Sequence, residues 1–115
     1  PGVAFRVCTF GPTLHKWQGE LCAGLQLYVT NRETFNAYQT GLAVLWAVKK
    51  LWPEQFGWRA EPYEFRDDVP AIDLLTGFPE VREAIDAGRP YADVLNAALH
   101  DTEQFDAARP EALMY

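Results

Sequence analysis

Prolines and glycines divide the second half of the chain into three segments of helical length, and this punctuation constrains the fold more than any other feature. The segments cover residues 70–77, 79–88 and 90–109; each begins with a proline, and the first two end at a glycine. Proline suits the first position of a helix and glycine the position after its end. The pattern predicts two short helices and one long helix. The expected buried stripe of the long helix consists of Tyr91, Val94, Leu95, Ala98, Leu99 and Phe105.

The first half of the chain contains two stretches in which apolar and polar residues alternate. Residues 3–10 read VAFRVCTF and residues 25–30 read LQLYVT, a pattern typical of half-buried strands. A helix is expected from caps at 31–34 to about Leu51, because apolar residues recur there at helical spacing. The sequence therefore predicts one α+β domain over residues 1–115, with a small antiparallel sheet of two or three strands packed against about four helices.

Three further expectations concern the helix before Leu51 and the segments that follow it. Gly41 lies beside the apolar stripe of that helix, which predicts that another backbone passes close by. Residues 54–69 lack a helical period and are expected to form a long ordered connection, with an extended piece around residues 62–65. Residues 111–115 are expected either to pair as an edge strand or to cover the core.

Charge and cysteine usage argue against several classes of function. The net charge is −6 and the pI about 4.8, whereas nucleic acids and anionic membranes both require a basic face. No apolar run approaches the ~20 residues of a membrane helix, so no membrane span is expected.

Cys8 and Cys22 are compatible with a disulfide and with two buried thiols. His15, Glu20 and His100 match no metal-ligand spacing, so neither a metal nor another cofactor is expected.

The loop between the two predicted strands contains most of the polar candidates. His15, Lys16 and Glu20 lie in this irregular stretch, which is longer than a strand connection needs. Long ordered loops often carry function, but His15 and Glu20 alternatively cap helix ends or satisfy backbone groups within a folded loop. Trp17 lies in the same loop, and an aromatic ring suits the apolar face of a sugar. Both interpretations stay open on these residues alone.

A second polar cluster follows in the long connection. It consists of Glu61, Tyr63, Glu64 and Asp67 and is followed by Asp73. Hydrolysis of a glycosidic bond uses two carboxylates, and the aromatic neighbours of Glu64 predict that its side chain is partly buried. The alternative is that acidic residues of an acidic chain are solvated surface.

Four motifs follow one another along the chain and precede an aromatic terminus, Tyr115. They are PTLHKWQGELCAGLQLYVTNR, YQTGLAVLWAVKKLWPEQFGW, EPYEF and IDLLTG. With these motifs the chain resembles the C-terminal half of the NamZ-type exo-β-N-acetylmuramidases, a glycoside hydrolase family. The resemblance covers essentially the whole chain, and residues 12–30 carry most of its specificity. Such enzymes remove N-acetylmuramic acid from the non-reducing end of peptidoglycan fragments in cell-wall turnover, which implies an extracytoplasmic protein.

The resemblance also implies a partner. Such enzymes have a larger N-terminal domain with Rossmann-like architecture, which holds the principal catalytic glutamate, and the active site lies in the cleft between the domains. No catalytic residue is then expected on this chain, which would be inactive alone. The loop would face the cleft, with His15 and Lys16 binding the lactyl carboxylate of the sugar and Glu20 or Gln26 accepting its polar hydrogens. The remaining candidates for substrate binding are Tyr63 and Glu64.

Two other functions fit the same residues. A non-catalytic carbohydrate-binding module would bind saccharides as an isolated chain. A structural or protein-interaction domain would expose an apolar patch, and substitutions in the loop would change its stability rather than turnover.

Overall fold

The computed structural model describes residues 1–114, with Glu103 and Gln104 described in their backbone alone. Tyr115 lies outside the described residues. The chain divides into two compact units, a hairpin unit of Pro1–Ala37 and a helical unit that begins at Tyr38. The combination of a two-stranded antiparallel sheet with helices confirms the α+β class. The elements are β1 (Val3–Phe10), β2 (Cys22–Val29), α1 (Ala37–Leu51), α2 (Ala71–Thr76), α3 (Pro79–Asp86), α4 (Tyr91–Leu99), α5 (Thr102–Ala108) and a final 3-10 helix (Arg109–Ala112).

The hairpin unit consists of two antiparallel strands in continuous register. Val3 pairs with Val29 at one end and Phe10 with Cys22 at the other. β2 begins at Cys22, three residues before the predicted start. Gly24 lies under the Phe10 ring, where a Cβ atom would come 3.0 Å from a ring carbon, so the lack of a side chain lets the ladder continue. The strands are joined by residues 11–21, called the connector below.

A turn after β2 occupies the place where helix caps were predicted. Asn31 Oδ1 accepts hydrogen bonds from the backbone N–H groups of Glu33, at 2.9 Å, and Thr34, at 3.4 Å. These bonds form a local turn, and α1 begins at Ala37. Gly2 contacts this turn with φ +72°, and a Cβ atom there would lie 2.6 Å from the Asn31 carbonyl oxygen. The prediction of helix caps at 31–34 was therefore wrong, because the Asn31 side chain bonds to a turn that precedes the helix.

The core of the helical unit combines residues from α1, α3 and α4. Its buried residues are Leu42, Val81, Ile85, Val94 and Ala98. Two tryptophans pack against this core with their indole N–H groups satisfied. Trp46 donates to the Arg89 carbonyl oxygen at 2.8 Å, and Trp58 donates to the Asp86 carboxylate at 2.9 Å. The apolar residues at helical spacing therefore form the core, as the sequence predicts, and Trp58 fastens the long connection to it.

The predicted long helix over 90–109 is two helices. α4 ends at Leu99 and α5 begins at Thr102. His100 makes local contacts at the break, with Nδ1 3.0 Å from the Ala97 carbonyl oxygen and Nε2 3.1 Å from Asp101 Oδ1. A histidine near the end of a helix often contacts one of the last carbonyl oxygens in this way. Phe105 consequently lies outside the buried stripe and is 64% exposed.

Three smaller predictions about the helical unit were wrong. The position of a Cβ atom on Gly41 has no neighbour within 4 Å, so no second backbone approaches it among the described residues. Residues 111–114 form the end of a 3-10 helix, which Pro110 helps to start, and an irregular end. They are exposed, so this described part of the tail neither pairs as a strand nor covers the core. The extended piece around 62–65 is reduced to a tight turn with a single bridge between Tyr63 and Arg66.

Candidate functional site

The connector is a folded loop held by its own backbone. The Gly19 N–H donates to the Pro12 carbonyl oxygen at 3.0 Å, and the Glu20 N–H donates to the Trp17 carbonyl oxygen at 3.0 Å. Gly19 has φ +81°, a conformation that glycine adopts without a steric penalty. These bonds give the middle of the connector a defined shape although its residues are exposed.

Two residues of the connector hold the left-handed conformation without being glycine. His15 has φ 61° and Trp17 has φ 62°. A left-handed L-residue with a β-carbon costs about 1–2 kcal/mol, so the backbone is strained at both positions. Strain of this kind is concentrated at functional sites, where it aims side chains in a required direction.

The polar side chains of the connector are free for a ligand. His15, Lys16 and Glu20 are exposed, and within residues 1–114 none of the three makes a side-chain hydrogen bond or ion pair. The alternative that His15 and Glu20 cap helix ends or satisfy backbone groups has no contact to support it here. Trp17 is 64% exposed, so its ring is also available.

Gln26, the fourth candidate of the hairpin unit, is held in a small polar network on β2. Its Oε1 accepts hydrogen bonds from Tyr28 Oη at 2.7 Å and from Arg6 Nη2 at 3.1 Å. The Arg6 guanidinium lies 5.8 Å from the centroid of the Tyr28 ring. Sequence reasoning missed Arg6, although the strand register, which pairs Arg6 with Gln26, could have revealed it.

Tyr63 and Glu64 belong to the helical unit, in a tight turn. The backbone groups of Tyr63 and Arg66 exchange two hydrogen bonds of 2.9 and 3.0 Å, while Glu64 and Phe65 have φ 50° and 63°. Two left-handed central residues are the geometry of a type I′ turn, which Asn-Gly usually occupies. The turn directs its central side chains outward, and Phe65 is fully exposed. Glu64 is exposed as well, so its predicted partial burial was wrong.

The ion pair next to this turn leads to a titration prediction. Arg66 binds Asp68 through two hydrogen bonds of 2.6 and 2.7 Å, and these lower the pKa of Asp68. Because the pKa is lower in the folded state, the pair stabilises the fold above the unfolded pKa of Asp68, and this contribution disappears as the pH falls. Arg66→Gln is expected to raise the pKa of Asp68 toward its ordinary value, as measured by NMR titration of the Asp68 carboxyl carbon. An unchanged midpoint would contradict the pairing.

The helical unit also has a cavity of about 560 Å³, lined by residues of α1, α3, α4 and the segments next to them, among them Trp46, Lys49, Lys50, Asp86, Arg89 and Tyr91. Its cations already have partners: Lys50 Nζ lies 4.6 Å from the centroid of the Trp46 ring, and Lys49 Nζ lies 3.8 Å from Asp86 Oδ1. The connector therefore offers more free polar groups than this cavity does.

The described residues also bear on metals, thiols and membranes. Among them, no group of three or more His, Cys, Asp or Glu side chains is placed to hold a metal ion. Cys8 and Cys22 are half-buried free thiols, so the chain has two thiols rather than a disulfide. Within residues 1–114, no helix combines the length and apolarity needed to cross a membrane.

Comparisons with known proteins agree with the resemblance found in the motifs. Residues 1–115 match the family described as "Exo-beta-N-acetylmuramidase NamZ, C-terminal". The chain is 38% identical over its full 115 residues to "Peptidoglycan beta-N-acetylmuramidase NamZ" of Bacillus subtilis (strain 168), and it spans 26% of the length of that relative. No solved structure matches the chain. Since the family match covers every residue and the relative shares more than a third of them, the chain belongs to the family of NamZ exo-β-N-acetylmuramidase C-terminal domains.

Proposed function

We propose that this chain is the substrate-contacting C-terminal domain of an exo-acting peptidoglycan β-N-acetylmuramidase, and that the connector contacts the sugar. The name of the Bacillus subtilis relative supports the substrate class. The observation that carries the role of the connector is its set of free polar side chains on a strained backbone. Residues 1–115 would act as a single domain and hydrolyse nothing alone, because a Rossmann-like N-terminal domain of the same protein would supply the catalytic glutamate.

The chemistry of N-acetylmuramic acid matches the groups that the connector presents. The sugar has a lactyl carboxylate, an acetamido group and hydroxyls. Lys16 and His15 would bind the carboxylate, because charge-assisted hydrogen bonds are stronger than neutral ones. Glu20 would accept hydroxyl hydrogens, and the Trp17 ring would stack on the C–H face of the sugar ring.

Other candidates contribute from positions outside the connector. Gln26 would donate to the sugar from Nε2 and not accept, because its Oε1 already accepts hydrogen bonds from Arg6 and Tyr28. Tyr63 and Glu64 would add contacts from the tight turn of the helical unit.

Turnover by the two-domain parent enzyme tests this role. Lys16→Ala and Glu20→Gln are expected to lower kcat/KM for a chromogenic β-N-acetylmuramide about tenfold or more, because each removes a charged hydrogen-bond partner worth roughly 1.5–3 kcal/mol. The melting temperature should stay unchanged, since neither side chain bonds to the protein. Glu54→Gln, another exposed glutamate, is the matched control and should retain wild-type kinetics.

A glycine variant separates a binding role from a structural one. His15→Gly removes the imidazole and also relieves the left-handed strain, so kcat/KM should fall while the melting temperature holds or rises. Wild-type turnover in all connector variants would contradict the proposal and favour a structural domain. Saccharide binding by the isolated chain, with unchanged turnover in the parent, would favour a carbohydrate-binding module.

A further inference from the structure

The two faces of the β-hairpin differ in chemistry. The register places Val3, Phe5 and Val7 across from Val29, Leu27 and Leu25, and alternation puts these six side chains on one face, called the apolar face below. The remaining pair of this face, Thr9 and Ala23, adds no charge. The other face has the bonded network of Arg6, Gln26 and Tyr28.

The apolar face is open to solvent. The exposed fractions are 46% for Phe5, 79% for Val7, 63% for Leu25, 41% for Leu27 and 44% for Val29. A two-stranded hairpin is at best marginally stable in water, and it gains independent stability when another layer packs on its hydrophobic face. A contiguous exposed patch of large apolar side chains therefore marks a surface that binds something.

The chemistry of the apolar face selects a protein surface as its occupant. A saccharide needs hydrogen-bond partners, and the six large side chains have none to offer. An anionic membrane is disfavoured by the net charge of −6. A complementary apolar protein surface matches the face directly, as in the core of a domain interface.

We propose that the apolar face docks onto the N-terminal domain of the same polypeptide and fixes this domain against it. The Bacillus subtilis relative is long enough to contain such a domain, since the match covers only 26% of its length. Covalent linkage also raises the local concentration of such a partner to about the millimolar range, above that of a second copy in dilute solution. The inference rests on the proposed function for the existence of the N-terminal domain.

Side-chain footprinting of the intact parent protein tests the inference without a mutation. Leu25 and Leu75 are each 63% exposed in this chain, so the two leucines form a matched pair. In the parent, hydroxyl radicals are expected to modify Leu25 several-fold more slowly than Leu75, because docking covers the apolar face. Equal rates at the two leucines would overturn the proposal.

Charge substitutions in the parent protein identify the occupant. Val7→Glu and Leu25→Glu place a carboxylate on the apolar face, and each should raise the radius of gyration measured by X-ray scattering. Ala4→Glu makes the same change on the opposite face of β1 and should leave the radius unchanged. A wild-type radius in all three variants would overturn the proposal.

A second copy of the chain as the occupant gives a different signature. In that case Val7→Glu halves the mass measured by light scattering, and this result overturns the proposal.

The docking test and the turnover test fail independently. If Leu25 is protected but the connector variants retain wild-type kcat/KM, the docking inference stands and the substrate role fails. If Leu25 is modified as fast as Leu75 while the connector variants lose activity, the docking inference fails and the substrate role stands.

Discussion

Replacement of Leu42 by alanine is expected to lower the free energy of unfolding of the helical unit by about 3–4 kcal/mol. Leu42 is 2% exposed and is the buried residue through which α1 joins the core cluster with α3 and α4. Truncation removes buried methyl groups and leaves a cavity, and Leu→Ala changes in such sites cost about 2.7–5 kcal/mol. The surrounding helices are short, so they have few other contacts with which to compensate.

The same substitution at Leu51 provides the control. Leu51 ends the same helix but is 65% exposed, so Leu51→Ala should change stability by about 0.5 kcal/mol or less. Urea unfolding followed by circular dichroism measures both variants. Similar midpoints for the two variants would show that Leu42 is not a core residue.

Replacement of Asp73 by alanine is the second large effect that we expect. Asp73 is 7% exposed and accepts two hydrogen bonds from Arg82, of 2.8 and 3.0 Å, which join α2 to α3. Removal of one partner from a buried pair costs about 3–5 kcal/mol because the other charge is left uncompensated. We expect about 3 kcal/mol, since the Arg82 side chain is 25% exposed and Glu83 lies 3.9 Å away.

Asp68→Ala is the control for this second prediction. The Arg66–Asp68 pair has the same two-bond geometry, but both side chains are at least half exposed, so water and salt screen it. Urea midpoints should therefore fall for Asp73→Ala and stay close to wild type for Asp68→Ala. Equal shifts in the two variants would show that burial does not determine the strength of these pairs.

The contacts of Asp73, Thr76 and Gly77 give the IDLLTG motif a physical explanation. Asp73 binds Arg82, and Thr76 Oγ1 bonds to the carbonyl oxygens of Ile72 and Phe78 at 2.9 and 3.1 Å. Gly77 ends α2 with φ 91°, a left-handed cap that its N–H closes onto the Asp73 carbonyl oxygen. The motif therefore both ends a helix and ties it to the next one.

Elements governed by local chemistry were predictable from the sequence. Alternation located β1 and β2, and the prolines and glycines located α2 and α3. The break at His100 was not predictable, because Pro90 starts an apolar period that continues past it to Phe105. The imidazole at the break contacts the Phe78 ring, with 4.7 Å between the ring centroids, and such a contact between distant residues depends on the fold.

The location of the connector was predictable from the sequence, but its backbone geometry was not. Glycine content and an irregular pattern drew attention to the connector, and within residues 1–114 the side chains of His15, Lys16 and Glu20 make no hydrogen bond or ion pair. The left-handed backbone at His15 and Trp17 carries no signal in residue type, because glycine or asparagine usually adopts it. The exposure of Glu64 was not predicted either, because Glu-Phe is an unusual pair for a type I′ turn and residue type does not signal the turn.

The pairing of Phe10 with Cys22 gives the connector evolutionary freedom. Its two ends are held side by side by the last pair of the ladder, so the scaffold does not depend on what lies between them. Doubling the length of a flexible loop costs only about 0.6 kcal/mol of closure free energy. Insertions and deletions between these two residues can therefore accumulate among descendants without a shift in strand register. The connector can therefore diverge in sequence and length while the rest of the domain stays the same.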